Sequence, residues 1–218
     1  MLCVTSRVVA FGDSITRGYG LTAGEGWVEL LSEVLKKDCG ESSISVFNAG
    51  GNSNTSTEGL QRIESDVLGQ MPGLVFVEFG GNDTVHSDRA VTAEKFQDNL
   101  LAIIARIRNH GGEVVLLTFP PVVNEWHAWS SDPYYDSWGG LDQCVEQYRQ
   151  CTRDVAKLQS VPLFDLDRFL REHIAEKGEA AFIKPDGVHL TPEANQLIAV
   201  AIFNFLQEHQ RSPDPHST

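Results

Sequence analysis

The sequence predicts an α/β fold, a three-layer α/β/α sandwich built on a five-stranded parallel sheet. Short, continuously apolar runs alternate along the chain with longer amphipathic segments, which is the order of strands joined by crossover helices. The apolar runs lack the polar–apolar alternation of a sheet with one face in water, so each strand is expected to be buried on both faces. Because no repeat or linker divides the chain, we expect one domain over residues 1–210, followed by a polar tail, residues 211–218.

Each predicted strand is a short apolar run that stops at glycine or at polar residues. Crossovers between parallel strands are right-handed, so the intervening helices are expected to cover both faces of the sheet. The five runs are Val8–Phe11, Ile44–Asn48, Leu74–Phe79, Glu113–Thr118 and Leu163–Asp165.

Six helices are predicted between and after these strands. The clearest has Phe96, Leu100, Ile103, Ile104 and Ile107 at helical spacing and ends at Gly111-Gly112. The last helix has a strong start signal in Thr191-Pro192-Glu193, which supplies an N-cap, a first-turn proline and an early acid. The six segments are Gly26–Lys37, Thr57–Leu68, Ala93–His110, Leu141–Gln159, Leu166–Lys177 and Pro192–Gln210.

The composition excludes several classes of partner. The chain has 218 residues and a net charge of -13 at pH 7, whereas nucleic-acid binding requires clustered Lys and Arg. No run approaches the roughly 18 apolar residues of a membrane span, and no signal-peptide pattern precedes Arg7. We therefore expect no nucleic-acid partner, no stable membrane insertion and a cytoplasmic location. The sequence leaves the oligomeric state open.

The four cysteines predict neither a disulfide nor a metal site. Cys3, Cys39, Cys144 and Cys151 follow no metal-ligand spacing. Cys144 and Cys151 are separated by roughly 10 Å along a predicted helix, which is too far for a disulfide. We expect reduced thiols, and no metal or other cofactor.

The first predicted strand ends in Gly12-Asp13-Ser14, at the edge of the sheet where α/β proteins bind ligands. Taken alone, Ser14 would be interpreted as a helix cap. A catalytic serine needs a base, and a group that orients the base. Asp186 and His189, three residues apart in a Pro- and Gly-containing loop, have the spacing for a carboxylate to bind the imidazole. Alone, that spacing also suits a simple loop hydrogen bond.

Two more polar loops follow predicted strands at the same edge. Asn82 comes after Gly80-Gly81, and its amide could donate to a developing oxyanion or form an Asx-turn. The loop from Asn48 to Thr55 is small and polar, and its backbone N–H groups could supply another donor. Each signal is weak alone, but one cleft can collect all four.

In combination, these segments resemble the four sequence blocks of the SGNH hydrolases, the GDSL-type esterases and lipases. The resemblance spans nearly the whole chain, and it implies a flavodoxin-like sandwich and metal-free ester hydrolysis. It implies Ser14 as nucleophile, His189 as base and Asp186 as the residue that orients the base. The blocks are Phe-Gly-Asp-Ser-Ile-Thr at 11–16, the loop at 48–55, Gly-Gly-Asn-Asp at 80–83 and Asp-Gly-Val-His-Leu at 186–190.

The resemblance also implies three oxyanion donors: the backbone N–H of Ser14, a backbone N–H of the 48–55 loop and the Asn82 side chain. One residue departs from the family pattern, because Ser53 stands where the second glycine of that loop is usual. Its Cβ narrows the space beside the oxyanion and disfavours positive φ. We expect Ser53 to donate, with Gly51 as the alternative.

A long aromatic insertion, residues 119–140, follows the fourth strand and contains three of the four tryptophans. Insertions of this length are usually functional or disordered, and the aromatic density argues against disorder. The insertion either forms a wall of the substrate site or merely covers the end of the sheet. The aromatic residues expected to bind substrate are Trp126, Trp129, Tyr134 and Trp138.

The sequence therefore predicts a serine esterase that hydrolyses acetyl or other short-chain acyl esters of a carbohydrate or other small alcohol. A lysophospholipase or thioesterase of the same family is one alternative. A non-catalytic small-molecule binding domain is another. A nucleotide-phosphate enzyme is disfavoured because the phosphate-binding pattern G-x-x-x-x-G-K-[S/T] is missing from the sequence.

Overall fold

The structure, a computed structural model, describes residues 7–40 and 44–211. Several sequence expectations concern residues outside these ranges. They are the segment before Arg7 with its bearing on cellular location, the state of Cys3, and the polar tail from residue 212 onward. Residue 211, assigned to the tail, is the last residue of the final helix.

A five-stranded, all-parallel sheet forms the centre of the molecule, as predicted. Its strand order is β2-β1-β3-β4-β5, the flavodoxin-like order. The chain leaves β1 for β2 on one side and returns to β3 on the other. The crevice outside the carboxyl ends of β1 and β3 is therefore the switch point where such sheets bind ligands. The strands are β1 Arg7–Gly12, β2 Ser45–Gly50, β3 Leu74–Glu78, β4 Glu113–Leu117 and β5 Leu163–Phe164.

Within residues 7–40 and 44–211, eight α-helices surround the sheet. The six predicted helices lie within about two residues of their expected bounds. The two others, α1 and α5, have four residues each, too few for apolar periodicity to appear in the sequence. The helices are α1 Ser14–Arg17, α2 Trp27–Cys39, α3 Ser56–Asp66, α4 Ala93–Asn109, α5 Pro133–Asp136, α6 Leu141–Gln159, α7 Leu166–Lys177 and α8 Pro192–Arg211.

Two apolar layers cover the two faces of the sheet. Because successive side chains of a strand point to opposite faces, Val8 and Ala10 of β1 join one layer, and Val9 and Phe11 join the other. The first layer packs against α2, α7 and α8, and the second packs against α3, α4 and much of α6. Burial of both faces explains why the strand sequences are continuously apolar.

A buried asparagine joins α2 to α8. The first N–H groups of a helix have no partner within it, and Gly26 before α2 has no side chain to supply one. Instead, Asn195 of α8 accepts the backbone N–H of Trp27 through Oδ1 at 2.9 Å and donates Nδ2 to the Thr191 carbonyl at 2.9 Å. Asn195 thus caps a helix that is distant in sequence.

We expect Asn195→Ala to lower the free energy of unfolding by about 1–3 kcal/mol, because it leaves a buried N–H without an acceptor. Urea denaturation measures this. Asn204→Ala, on an exposed position of the same helix, is the matched control for the change in helix propensity. Equal stabilities of the two variants would contradict the capping role.

Candidate active site

The turn after β1 is shaped by a glycine and a buried aspartate. A Cβ on Gly12 would lie 2.6 Å from the carbonyl oxygen of Glu78 on the neighbouring strand, so only glycine fits. Asp13 is fully buried, and its Oδ1 accepts the Ile15 N–H at 2.9 Å as the N-cap of α1. Ser14 is consequently the first residue of α1, at the carboxyl edge of the sheet.

Ser14, His189 and Asp186 form a continuous chain of hydrogen bonds. His189 Nε2 lies 3.0 Å from Ser14 Oγ, and His189 Nδ1 lies 2.9 Å from Asp186 Oδ2. An ionised carboxylate can only accept, so Nδ1 carries the proton and Nε2 is free to accept from the serine hydroxyl. This arrangement suits a serine nucleophile with an oriented base.

The Asp186 carboxylate is held in its ionised form by backbone donors. Its Oδ1 accepts the N–H groups of Val188 at 3.0 Å and His189 at 2.9 Å. Burial alone would raise the pKa of Asp186, but these hydrogen bonds and the His189 side chain outweigh it and lower the pKa below its ordinary value. The acceptor for His189 is thus charged throughout the neutral pH range.

The Asp186–His189 loop is closed at its base and packed against the aromatic insertion. The Lys184 N–H donates to the His189 carbonyl at 2.7 Å, and an antiparallel bridge pairs Ile183 with Leu190. Gly187 has a φ of +78°, and a Cβ there would lie 2.6 Å from the Val123 carbonyl oxygen. Val123 in turn donates its N–H to the Gly187 carbonyl at 2.8 Å.

Two of the three expected oxyanion donors, the Ser14 backbone N–H and the Asn82 side chain, have an N–H without an acceptor among the described residues. The Ser14 backbone N–H is in the first turn of α1, where helices leave such groups unpaired. Asn82 lines the same cavity as Ser14, and its Nδ2 donates one hydrogen to Asp13 Oδ2 at 2.9 Å. An amide nitrogen has two hydrogens, so one remains for an oxyanion.

Ser53 and Gly51 differ in what their backbone N–H groups do. Gly51 donates its N–H to the Gly12 carbonyl at 2.9 Å, so this donor is engaged. Ser53 lines the cavity, and within residues 7–40 and 44–211 its N–H has no acceptor. Its φ is +58°, the left-handed region that favours glycine. Arg89 Nη2 binds the Ser53 carbonyl at 2.6 Å. The geometry therefore favours Ser53, and its donor role stays a prediction.

A pair of buried carboxyl groups, Asp13 and Glu78, lies beneath the site. Their side chains interact directly, and burial raises the pKa of both. The charge of Asp13 raises the pKa of Glu78 further, whereas a hydrogen bond with Glu78 lowers the pKa of Asp13. Both Asp13 oxygens accept N–H groups, from Ile15 and Asn82. Glu78 accepts the Thr16 hydroxyl at 3.0 Å, and its Oε1 has no donor among the described residues. Glu78 is therefore the protonated member of the pair.

A cavity of about 250 Å³ opens beside Ser14 and His189. Trp129 is the one aromatic residue among the four expected to bind substrate that lines it. Trp126, Tyr134 and Trp138 do not line it, and 36–43% of each is exposed. Their substrate role stays a prediction. The apolar lining consists of Phe119, Val122, Leu141, Val145 and Val188. The rest of the wall consists of the rings of Tyr19 and His127, the polar residues Asn52, Ser53 and Asn82, and Gly81.

Sequence reasoning missed several of these residues. The Tyr19 ring lies 4.5 Å from the His189 ring between centroids, although nothing in its sequence context marks it. Phe119 reaches the cavity because the fully buried Arg149 donates to the carbonyls of Phe119 and Pro120 at 2.9 and 2.6 Å. Arg149 stands on the apolar face of a predicted helix, and an arginine in that position indicates a buried polar contact. Among the described residues, no cluster of His, Cys, Asp and Glu is placed to hold a metal ion.

Residues 10–197 match the GDSL-like lipase/acylhydrolase family over most of the chain. The chain belongs to that family. This GDSL hydrolase is 29% identical to an uncharacterized lipoprotein, YqeF, of Bacillus subtilis, with 88% of this chain and 85% of the relative covered. It is 27% identical to the arylesterase of Vibrio mimicus, with 94% and 90% covered. It is a carboxylic ester hydrolase by family and relatives.

Solved structures of the family share the fold. The lipase/acylhydrolase of Enterococcus faecalis superposes with a TM-score of 0.77 at 25% identity, covering 94% of this chain and 96% of the other. The acetyl xylan esterase AlAXEase superposes with a TM-score of 0.75 at 25% identity, covering 91% and 98%. Within the part of this GDSL hydrolase that the structure describes, no helix is long and apolar enough to span a bilayer.

We expect Glu78→Gln to change how stability depends on pH. A carboxyl whose pKa is raised on folding binds a proton in the folded state, so wild-type stability falls as pH rises above the ordinary Glu value of 4.5. Glutamine cannot ionise, so the variant should gain up to about 1.4 kcal/mol per pH unit relative to wild type over this range. Urea denaturation between pH 5 and 7 measures this, with the exposed Glu113→Gln as control. Parallel pH profiles of wild type and Glu78→Gln would contradict the protonated assignment.

We expect Ser53→Gly to raise Tm by roughly 2–4 °C, because relief of the left-handed conformation exceeds the added freedom of the unfolded chain by about 1 kcal/mol. Ser160→Gly is the matched control for replacing a serine of positive φ, because Ser160 has a φ of +49° at the end of α6, away from the cavity. Glycine keeps the backbone N–H, so kcat should persist in both variants. A tenfold loss of kcat in Ser53→Gly alone would show that the hydroxyl, and not the N–H, acts at this position.

Proposed function

We propose that this chain hydrolyses acetyl and other short-chain acyl esters of a carbohydrate or other small alcohol, with Ser14 as nucleophile. The observation that carries the proposal is the Asp186–His189–Ser14 hydrogen-bond chain, which ends at a small cavity. The relatives support the reaction class, since one is described as an arylesterase and one similar structure as an acetyl xylan esterase.

The proposed mechanism follows from the proton positions in this chain. Ser14 Oγ attacks the ester carbonyl while its proton moves to His189 Nε2, which forms an imidazolium ion beside the Asp186 carboxylate. The proton then moves from Nε2 to the leaving alkoxide as the C–O bond breaks. Water repeats the sequence on the acyl-enzyme, with His189 again taking a proton, and releases the acid and free Ser14.

The negative charge of the tetrahedral intermediate develops on the former carbonyl oxygen. The proposed donors to it are the N–H groups of Ser14 and Ser53 and the second Nδ2 hydrogen of Asn82. Donors fixed before the reaction are worth more than mobile water, and one such donor is typically worth about 10²–10³ in kcat. The hydrogen bond from Asn82 to Asp13 fixes the amide in this orientation before substrate arrives.

The cavity supports a small acyl group. At about 250 Å³ it is smaller than the roughly 300–1,000 Å³ of sites that enclose drug-sized ligands. Its apolar wall, which includes Phe119, Leu141 and Val145, suits a short alkyl group. A long acyl chain would extend beyond the cavity into solvent.

We expect Ser14→Ala to fold normally and to lose nearly all hydrolysis of p-nitrophenyl acetate, because the nucleophile is removed. A fluorophosphonate probe should label Ser14 in the wild-type chain and leave the variant unlabelled. Ser130→Ala, an exposed serine of the insertion, is the matched control. Wild-type turnover in Ser14→Ala would contradict the proposal, and a wild-type chain that neither turns over ester nor reacts with the probe would indicate a non-catalytic binding domain.

A substrate series distinguishes the proposed esterase from the alternatives within the family. Rates on acetyl, octanoyl and lysophospholipid esters, and on an acetyl thioester, give the acyl and alcohol preference. A steep fall from acetyl to octanoyl is expected from the size of the cavity. A preference for lysophospholipid or thioester would instead favour the lysophospholipase or thioesterase alternative.

A further inference from the structure

His127 lies in the aromatic insertion and lines the cavity, yet it takes no part in the Ser14–His189–Asp186 chain. Its Nδ1 accepts the backbone N–H of Trp129 at 3.1 Å. Because a backbone N–H can only donate, Nδ1 must be unprotonated. The ring proton of the neutral imidazole is therefore on Nε2, which is fixed as a donor.

The His127 ring is neutral at neutral pH. Burial lowers its pKa, the Asp186 carboxylate acts in the opposite direction, and His189 lowers it further. His127 and His189 line the same cavity. The Nε2–H has no acceptor among residues 7–40 and 44–211. Donors in partly buried positions normally have a partner, so this one is available to a ligand.

The position of His127 relates it to the alcohol part of an ester rather than to the acyl part. Its backbone packs against the catalytic loop, since a Cβ on Gly187 would lie 2.8 Å from the His127 nitrogen. The leaving oxygen must approach His189 Nε2 to receive its proton, whereas the acyl group has the apolar wall around Leu141 and Val145. The alcohol part of the substrate is therefore assigned to the side of His127, and the acyl part to this apolar wall.

We infer that His127 Nε2–H donates a hydrogen bond to an oxygen of the alcohol part of the substrate, and so selects acetyl esters of polyhydroxylated alcohols such as sugars. The inference rests on the proposed function. The Trp129 ring, edge-on to His127 with centroids 4.9 Å apart, adds an apolar surface beside this donor. Few placed polar groups within an apolar lining are what give small-molecule sites their specificity.

The neighbouring chemistry makes His127 a specificity-determining residue and not a second base. Its Nδ1 is occupied by the insertion backbone, and its Nε2 already carries a proton, so the ring cannot accept one from Ser14. An ester of a hydrocarbon alcohol has no oxygen to receive Nε2–H apart from the ester group itself. A site built to hydrogen-bond a substrate group discriminates against analogues that lack it.

Two variants distinguish the acceptor role of His127 Nδ1 from the donor role of His127 Nε2. In His127→Asn the shorter side chain keeps an acceptor near the position of Nδ1 for the Trp129 N–H but has no donor at the position of Nε2. In His127→Gln the longer side chain restores a donor near Nε2. The two substrates are a mono-O-acetylated methyl xyloside and cyclohexyl acetate, both esters of a secondary alcohol on a six-membered ring.

We expect kcat/KM for the xyloside relative to cyclohexyl acetate to fall about tenfold in His127→Asn, the effect of one lost hydrogen bond. The ratio should recover in His127→Gln. His110→Asn is the control, since His110 is the C-cap of α4 and lies near the amino-terminal end of β4, at the edge of the sheet opposite the cavity. Thermal melting of each variant shows whether the fold is intact.

The outcomes separate this inference from the proposed function. An unchanged ratio in a folded His127→Asn variant would overturn the inference while leaving the esterase proposal in place, as would equal losses in the Asn and Gln variants. Failure of the wild-type chain to hydrolyse either ester, or any other ester in the substrate series, would overturn the proposed function and this inference together.

Discussion

The buried carboxylate of Asp13 is the contact on which the site depends. One oxygen caps the short helix that begins with Ser14, and the other holds the Asn82 amide. Ser14, the proposed nucleophile, and Asn82, a proposed oxyanion donor 68 residues further along the sequence, are thereby fixed to one side chain. The arrangement requires Gly12, because a side chain there would collide with Glu78. It also requires Glu78 to hold a proton, since two buried charges side by side would destabilise the turn.

The other loops of the site are joined to this turn by arginines. Arg62 donates to the carbonyls of Gly12 and Ala49, each at 2.7 Å, and thereby connects the ends of β1 and β2. Arg89 binds the Ser53 carbonyl and Glu58, which also completes the capping box of α3. Two guanidinium groups that contact no proposed reacting atom therefore hold the loop in which Ser53 has its left-handed conformation.

Much of the fold followed from the sequence, because the strands are buried on both faces and their apolar runs are unbroken. The order of the four polar segments and the family resemblance are sufficient to predict Ser14, Asp186, His189 and Asn82 as site residues. The wall of the cavity did not follow. Tyr19 and Val145 approach the site only through packing between elements, and local sequence carries no record of such contacts. Among the aromatic residues of the insertion, composition could not distinguish Trp129, which lines the cavity, from Trp126 and Trp138, which do not.

The reciprocal contact between Val123 and Gly187 joins the aromatic insertion to the loop that carries Asp186 and His189. We expect the two segments to move together, because a backbone hydrogen bond and close packing both join them. Substrate range and catalytic geometry are therefore coupled during divergence. An insertion taken from a relative would change the residues that line the cavity. It would also displace the His189 imidazole unless the backbone of residues 123–127 kept the same conformation. We therefore expect substitutions that alter specificity without loss of rate to affect side chains, or parts of the insertion outside residues 123–127.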